Sequence, residues 1–207
     1  MGNYIYTIGR ELGSGGYTVA KLLAERLGIK LYDKELLAQA AKDSGFCEEI
    51  FENHDERPTN SFLYSLVMDT YTGGNYSAAP FLDMPINHKV FLAQFDTIKK
   101  IASEESCVIV GRCADYILED IPNHLNVFVY APEEARLKNC VENLQMDPQT
   151  AKKMMRDVDA ARNRYHKAYI PGWQSVFDHK DLMIDSSRFG IDGTAKILAD
   201  IVRNQWG

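Results

Sequence analysis

Residues 4–18 read YIYTIGRELGSGGYT, and the fold turns on them. Residues 4–8 are aromatic or β-branched, the composition of a short buried strand. That strand is expected to stop at a turn carrying Gly9, Gly13, Gly15 and Gly16. From about Gly16 the apolar spacing becomes helical, with Val19, Leu22, Leu23 and Leu27 on one face and Gly28 as the stop signal. A strand, a glycine turn and a helix in that order can build an anion site. Glycines let several backbone N–H groups converge, and the helix points its positive end at the same place. A plain tight turn is the other reading of the glycines alone.

Outward from this segment the alternation continues. Residues 29–32, 108–110, 125–130 and 182–184 read as further short strands. Between them, helical faces are formed by Leu36, Leu37, Ala40 and Ala41, by Phe91, Phe95, Ile98 and Ala102, and by Ile197, Leu198, Ile201 and Val202. Pro132 and the Asp147–Pro148 pair mark helix starts. The pattern predicts an α/β fold, a parallel sheet of about five strands with helices on both faces. Ligands of such sheets sit beyond the carboxyl ends of the strands. The glycine turn and Gly111–Arg112 are therefore expected to share one crevice.

Residues 47–86 are less regular. Gly73, Gly74, Asn75, Pro80 and Pro85 interrupt them, and Phe62, Tyr64, Tyr71, Tyr76 and Phe81 add aromatic surface. A largely helical insert over 34–86 is expected, with an interface pairing two chains as the alternative.

The 207 residues are 45% apolar and 25% charged, which suits a single folded domain over 1–207 with its own core. Lys and Arg number 23 against 29 Asp and Glu, a formal charge of −6. That balance argues against broad binding to nucleic acid or anionic membrane. The four cysteines form no CxxC pair and read as buried, reduced thiols of a cytoplasmic protein. No signal-peptide pattern or membrane-length apolar run is present. His54, His88, His124, His166 and His179 are scattered without metal-ligand spacing, so no protein-held metal is expected.

Set against GxxxxGK[ST], the loop has Gly16 in the lysine position, Tyr17 in the Ser/Thr position and Thr18 one place later. Arg10 is the candidate replacement cation, or else an ordinary solvated arginine.

Five segments in order, GRELGSGG, LYDKELL, VIVGRCADYIL, RDVDAARNRYHKAY and DLMIDSSRFGID, resemble the cytidylate kinase-like proteins, relatives of bacterial cytidylate kinase among the P-loop nucleoside monophosphate kinases. The resemblance spans nearly the whole chain and is weakest over 47–86. It implies a three-layer P-loop NTPase-type fold that takes ATP, with Mg²⁺ arriving on the nucleotide, and phosphorylates a nucleoside monophosphate such as CMP. It also implies that Gly13, Ser14, Gly15, Gly16, Tyr17 and Thr18 hold the donor phosphates and that Asp33 opens the acceptor site. Arg112 would face the acceptor. Cys113 stands where the kinases of the family carry an Asp, which leaves Asp115 as the nearest carboxylate. Arg156, Arg162 and Arg164 resemble the arginines of a lid over 147–170. Arg10, Arg112, Arg162 and Arg164 would then supply the charge that phosphoryl transfer needs.

Local readings stand beside these. Asp33 can cap a helix beginning at Lys34. Asp159 and Arg162 are i, i+3 neighbours, and Arg162 and Arg164 diverge unless the helix breaks near Arg162. Besides the kinase, two functions remain open: a nucleotide- or phosphometabolite-binding protein of the same fold, motivated by the missing lysine and by Cys113, and an assembly domain using the aromatic middle segment.

Overall fold

The computed structural model describes residues 3–44, 86–143 and 145–205. Much of the expected insert, with its Phe62 and Tyr64 interface, lies outside the described residues. The elements in order are β1 (Ile5–Arg10), α1 (Gly16–Leu27), β2 (Lys30–Tyr32), α2 (Lys34–Ser44), α3 (Ile86–Glu104), β3 (Cys107–Val110), α4 (Ala114–Ile117), β4 (His124–Tyr130), α5 (Glu133–Asn143), α6 (Pro148–Tyr169), β5 (Leu182–Asp185) and α7 (Ser186–Gln205).

The five strands form one parallel sheet in the order β2-β3-β1-β4-β5. Period-2 side-chain alternation divides the core between its two faces. Tyr6, Ile8, Val108, Val110, Val127 and Val129 pack with Val19 and Leu23 of α1 and Leu198 and Val202 of α7. Ile5, Cys107 and Ile109 face the other way, against Phe91, Phe95 and Ile98 of α3 and Tyr165 and Tyr169 of α6. Phe91 stacks on Tyr169 with ring centres 4.2 Å apart. The three-layer architecture read from the sequence is thus present.

Local signals account for most boundaries. Gly28 ends α1 in the left-handed conformation and donates to the Ala24 and Glu25 carbonyls. Asp147 caps α6, accepting from the N–H groups of Gln149 and Thr150, with Pro148 in the first turn. Three boundaries differ from expectation. β1 continues two residues past Ile8, because Gly9 and Arg10 pair with Phe128 and Val129 of β4. Pro132 precedes α5 and accepts from Arg136 N–H, so it occupies the cap position rather than the first turn. β5 runs to Asp185, one residue beyond the 182–184 expected, and Ser186 then opens α7.

Cys107 and Cys140 are buried free thiols, and Cys113 is buried as well. Burial pushes the Cys107 thiol up to about 12. Among the described residues, no helix is long and apolar enough to cross a membrane.

Candidate active site

The glycine turn begins where β1 ends and closes at the first turn of α1. Gly15 sits at the N-cap with φ +75°, and a Cβ there would lie 2.1 Å from Ile191 Cδ1. Gly16 is required for a different reason. A Cβ on it would stand 2.5 Å from Arg10 Cβ, so the Arg10 stem fills the space a side chain at 16 would need. Val19 N–H makes the first intrahelical bond, to Gly15 O at 2.9 Å. The N–H groups of Gly16, Tyr17 and Thr18 therefore precede the helical ladder at its positive end. Tyr17 and Thr18 are exposed there.

Side chains from distant elements hold the turn in shape. Arg136 Nε donates to Leu12 O at 2.8 Å, Asn139 Nδ2 to Gly13 O at 2.8 Å, and Ser186 Oγ to Ser14 O at 2.6 Å. Leu12 N–H donates to Asp159 Oδ1 at 2.8 Å. Arg136 also pairs with Glu11 at 3.1 Å and with Asp159. All three of its nitrogens are thus committed to clamping the glycine turn against α5 and α6.

A cleft opens beside this turn, at the carboxyl ends of β1 and β3, and includes Gly9, Arg10 and Gly111. Adjacent strands bring those ends together, and Gly111 N–H donates to Ile8 O at 3.2 Å. The crevice expected from the sequence is formed in part: Gly9, Arg10 and Glu11 at the start of the turn share it with Gly111, while Arg112 and residues 12–18 are not among its lining residues. Arg162 of α6 reaches across it. Its Nη1 donates to Arg10 O at 3.0 Å and lies 3.6 Å from Asp159 Oδ1, while its buried Nε has no hydrogen-bond partner. That orphaned donor in a cleft wall suits an anionic ligand.

Behind the cleft, Gly111, Arg112 and Cys113 are all left-handed, with φ of +76°, +59° and +55°. Left-handed backbone is costly for Arg and Cys and marks a site held by its surroundings. The turn places Arg112, 5% exposed, 3.2 Å from Asp33 Oδ1. It also sets Asp115 on α4, where it pairs with Lys180 and lies 3.9 Å from His166 Nε2.

The sequence-derived residues therefore divide into groups. Arg10, the loop and Arg162 come together. Arg112 and Asp33 form one ion pair, and Asp115 belongs to another. Arg156 is exposed and lines a neighbouring groove with Glu133 and Lys152, which meets the cleft at Asp159. Arg164 is exposed and is not among the cleft-lining residues. α6 runs unbroken past Arg162, so two residues turn the side-chain direction by about 200°. Sequence reasoning missed Glu11, Arg136, Trp173 and Lys180; it saw Asp159 only as the i, i+3 neighbour of Arg162, a pairing that is present, and not as a clamp on the glycine turn. One signal was available for Arg136: a charge on the face of α5 that also carries Cys140, both of them buried.

The sheet order, the glycine turn and the cleft define a P-loop kinase fold. The sequence model of the cytidylate kinase-like family matches residues 5–188, and the chain belongs to that family. Similar curated proteins include the cytidylate kinase of Archaeoglobus fulgidus, 26% identical over 202 residues that cover 95% of this chain and 93% of the relative. The cytidylate kinase of Methanocaldococcus jannaschii is 23% identical over 205 residues, covering 97% and 98%. Among solved structures, an uncharacterized protein from Eubacterium ventriosum matches with a TM-score of 0.72 and 30% identity, covering 98% of this chain and 100% of that one. Shikimate kinase from Bacteroides thetaiotaomicron matches at a TM-score of 0.54 and 12% identity, covering 97% and 98%, which is a likeness of fold.

Proposed function

We propose that the protein transfers the γ-phosphoryl group of ATP to a nucleoside monophosphate, with CMP as the first acceptor to test. The observation that carries this reading is the junction of the α1 N-terminus and glycine turn with the Arg162-lined cleft. The turn would bind donor phosphates through backbone N–H groups. Arg162 would contact the transferring group, and the Arg112–Asp33 pair would border the acceptor. Phosphoryl transfer asks chiefly for alignment and spread positive charge, and this arrangement has the groups for both. Arg156 and Arg164 would join only through movement of the 147–170 segment.

Among the described residues no group of three His, Cys, Asp or Glu side chains is placed to hold a metal. The residues fit a Mg²⁺ that arrives on the nucleotide and is held by phosphates, water and a hydroxyl such as that of Thr18. It would supply charge neutralisation at the phosphates.

The test is a coupled ADP-release assay with ATP and each nucleoside monophosphate. Turnover with CMP or another monophosphate supports the reading. Gly16 in the lysine position favours a second reading, a nucleotide-binding protein without transfer. Calorimetric ATP binding with no ADP release would select it.

A further inference from the structure

Lys180 is the buried cation that none of these assignments uses. It precedes β5, and its side chain is only 3% exposed. Its Nζ pairs with Asp115, donates to Asp178 O at 3.0 Å and lies 5.3 Å from the centre of the Trp173 ring. It also lines the cleft beside the start of the glycine turn, where a Cβ on Gly9 would sit 3.4 Å from Lys180 Cε.

The chain around Lys180 is fixed from both sides. Asp178 accepts from the N–H groups of Gln174 at 2.6 Å and Ser175 at 3.0 Å. Asp181 exchanges bonds with Asn126 of β4, its N–H donating at 2.9 Å and its carboxylate accepting at 2.7 Å. Between them His179 is left-handed, with φ +55°. An ordered, locally strained segment thus carries a lysine inward, although burying an ammonium group is costly.

The charge inventory says why that position matters. Arg136 is spent on the loop and Arg112 is paired with Asp33. Of the described residues lining the cleft, Arg10, Arg162 and Lys180 carry permanent positive charge. Arg162 is fastened to Arg10 O, whereas a lysine is a point charge on a flexible stem. A phosphate monoester carries roughly −1.5 to −2 charges at neutral pH, more than the single carboxylate holding Lys180. When Lys180 turns toward such a group, Asp115 keeps the His166 ring as a polar neighbour at 3.9 Å.

We propose that Lys180 is a phosphate-binding cation of the acceptor side, drawn from Asp115 by an oxygen of the acceptor's phosphate. This rests on the kinase reading and deepens it. A merely structural Lys180–Asp115 pair would tie the segment before β5 to α4 and would leave ligand affinity unchanged.

The experiment titrates CMP, cytidine and ATP into the full-length protein and into Lys180→Met by calorimetry. CMP affinity is expected to fall roughly 10- to 100-fold, the scale of a lost charge-assisted hydrogen bond. Cytidine and ATP should stay within about twofold. Equal CMP affinity in the two proteins overturns the proposal. If Lys180→Met does not fold, Lys180→Arg carries the test: it keeps the charge and should bind CMP within about fivefold. Loss of CMP and cytidine binding in equal proportion in that variant would overturn the proposal. If the wild-type protein turns over no nucleoside monophosphate, the kinase reading falls by itself. Inorganic phosphate titrated into the same proteins then decides Lys180, weaker binding by Lys180→Met keeping the proposal and equal binding overturning it.

Discussion

The two sides of the proposed site are made of different material. On the proposed donor side the groups that would face the ligand are backbone amides of a turn, and side chains serve to hold that turn, as Arg136, Asn139 and Ser186 do. On the proposed acceptor side they would be side-chain charges already paired with carboxylates, Arg112 with Asp33 and Lys180 with Asp115. A backbone site is set by conformation and tolerates many residues but few changes of shape. A side-chain site is set by charge and is sensitive to single substitutions that leave the fold intact.

The harshest way to break this contrast is Gly15→Val. The residue would need φ +75°, and its Cβ would meet Ile191 at 2.1 Å. Strain of about 1–3 kcal/mol is expected with loss of calorimetric ATP binding, because the amides no longer converge. ATP affinity equal to wild type would show that the turn is not the donor site.

Next in size is Arg162→Ala. Turnover should fall roughly 10²- to 10³-fold, the scale of removing a fixed transition-state donor. Urea unfolding should show a loss of about 1 kcal/mol for the bond to Arg10 O. Arg164→Ala should change turnover less than about threefold, given its exposed place on the other side of an unbroken helix. Equal losses in the two variants would mean that α6 breaks between them during the reaction.

Arg112→Ala sharpens the acceptor side. It should raise the acceptor KM roughly 10-fold or more while the ATP KM stays within about twofold. A matching rise in both would merge the two sides into one.

The smallest effect lies away from the cleft. His88 is buried edge-on to Tyr169 at 5.7 Å, and burial lowers its pKa. Below about pH 6.5 the unfolded chain takes up this proton more readily than the folded one, so the stability is present above that pH and is lost as pH falls toward the folded value. His88→Phe keeps a ring in place and should flatten the slope of unfolding free energy between pH 7.5 and about 5.5 relative to wild type. Identical slopes would remove His88 from the acid response.

The sheet was legible because each strand is a short apolar run and each helix a periodic face, both local signals. The end of β1 was not, since Gly9 and Arg10 are strand residues through pairing with β4 rather than through composition. In the site, the turn could be read because its glycines lie within a few residues of one another in the sequence. The Arg136–Glu11–Asp159 network could not, because it joins three distant segments and leaves no periodicity behind. Arg112 and Asp33 were both expected at the acceptor, but their direct pairing appears only when β3 and the start of α2 are placed side by side. Lys180 carried no motif at all; burial and its place in the cleft distinguish it.

The contact between Arg10 and Gly16 also bears on how this loop can change over generations. With Arg10 Cβ 2.5 Å from where a Cβ on residue 16 would stand, a lysine there and the present path of Arg10 exclude each other. Gaining the lysine in one step meets a steric barrier before any benefit to phosphate binding accrues. The two positions are therefore epistatic, and a lineage holding this pair is kept in its lysine-free form until residue 10 or the strand end beneath it shifts first.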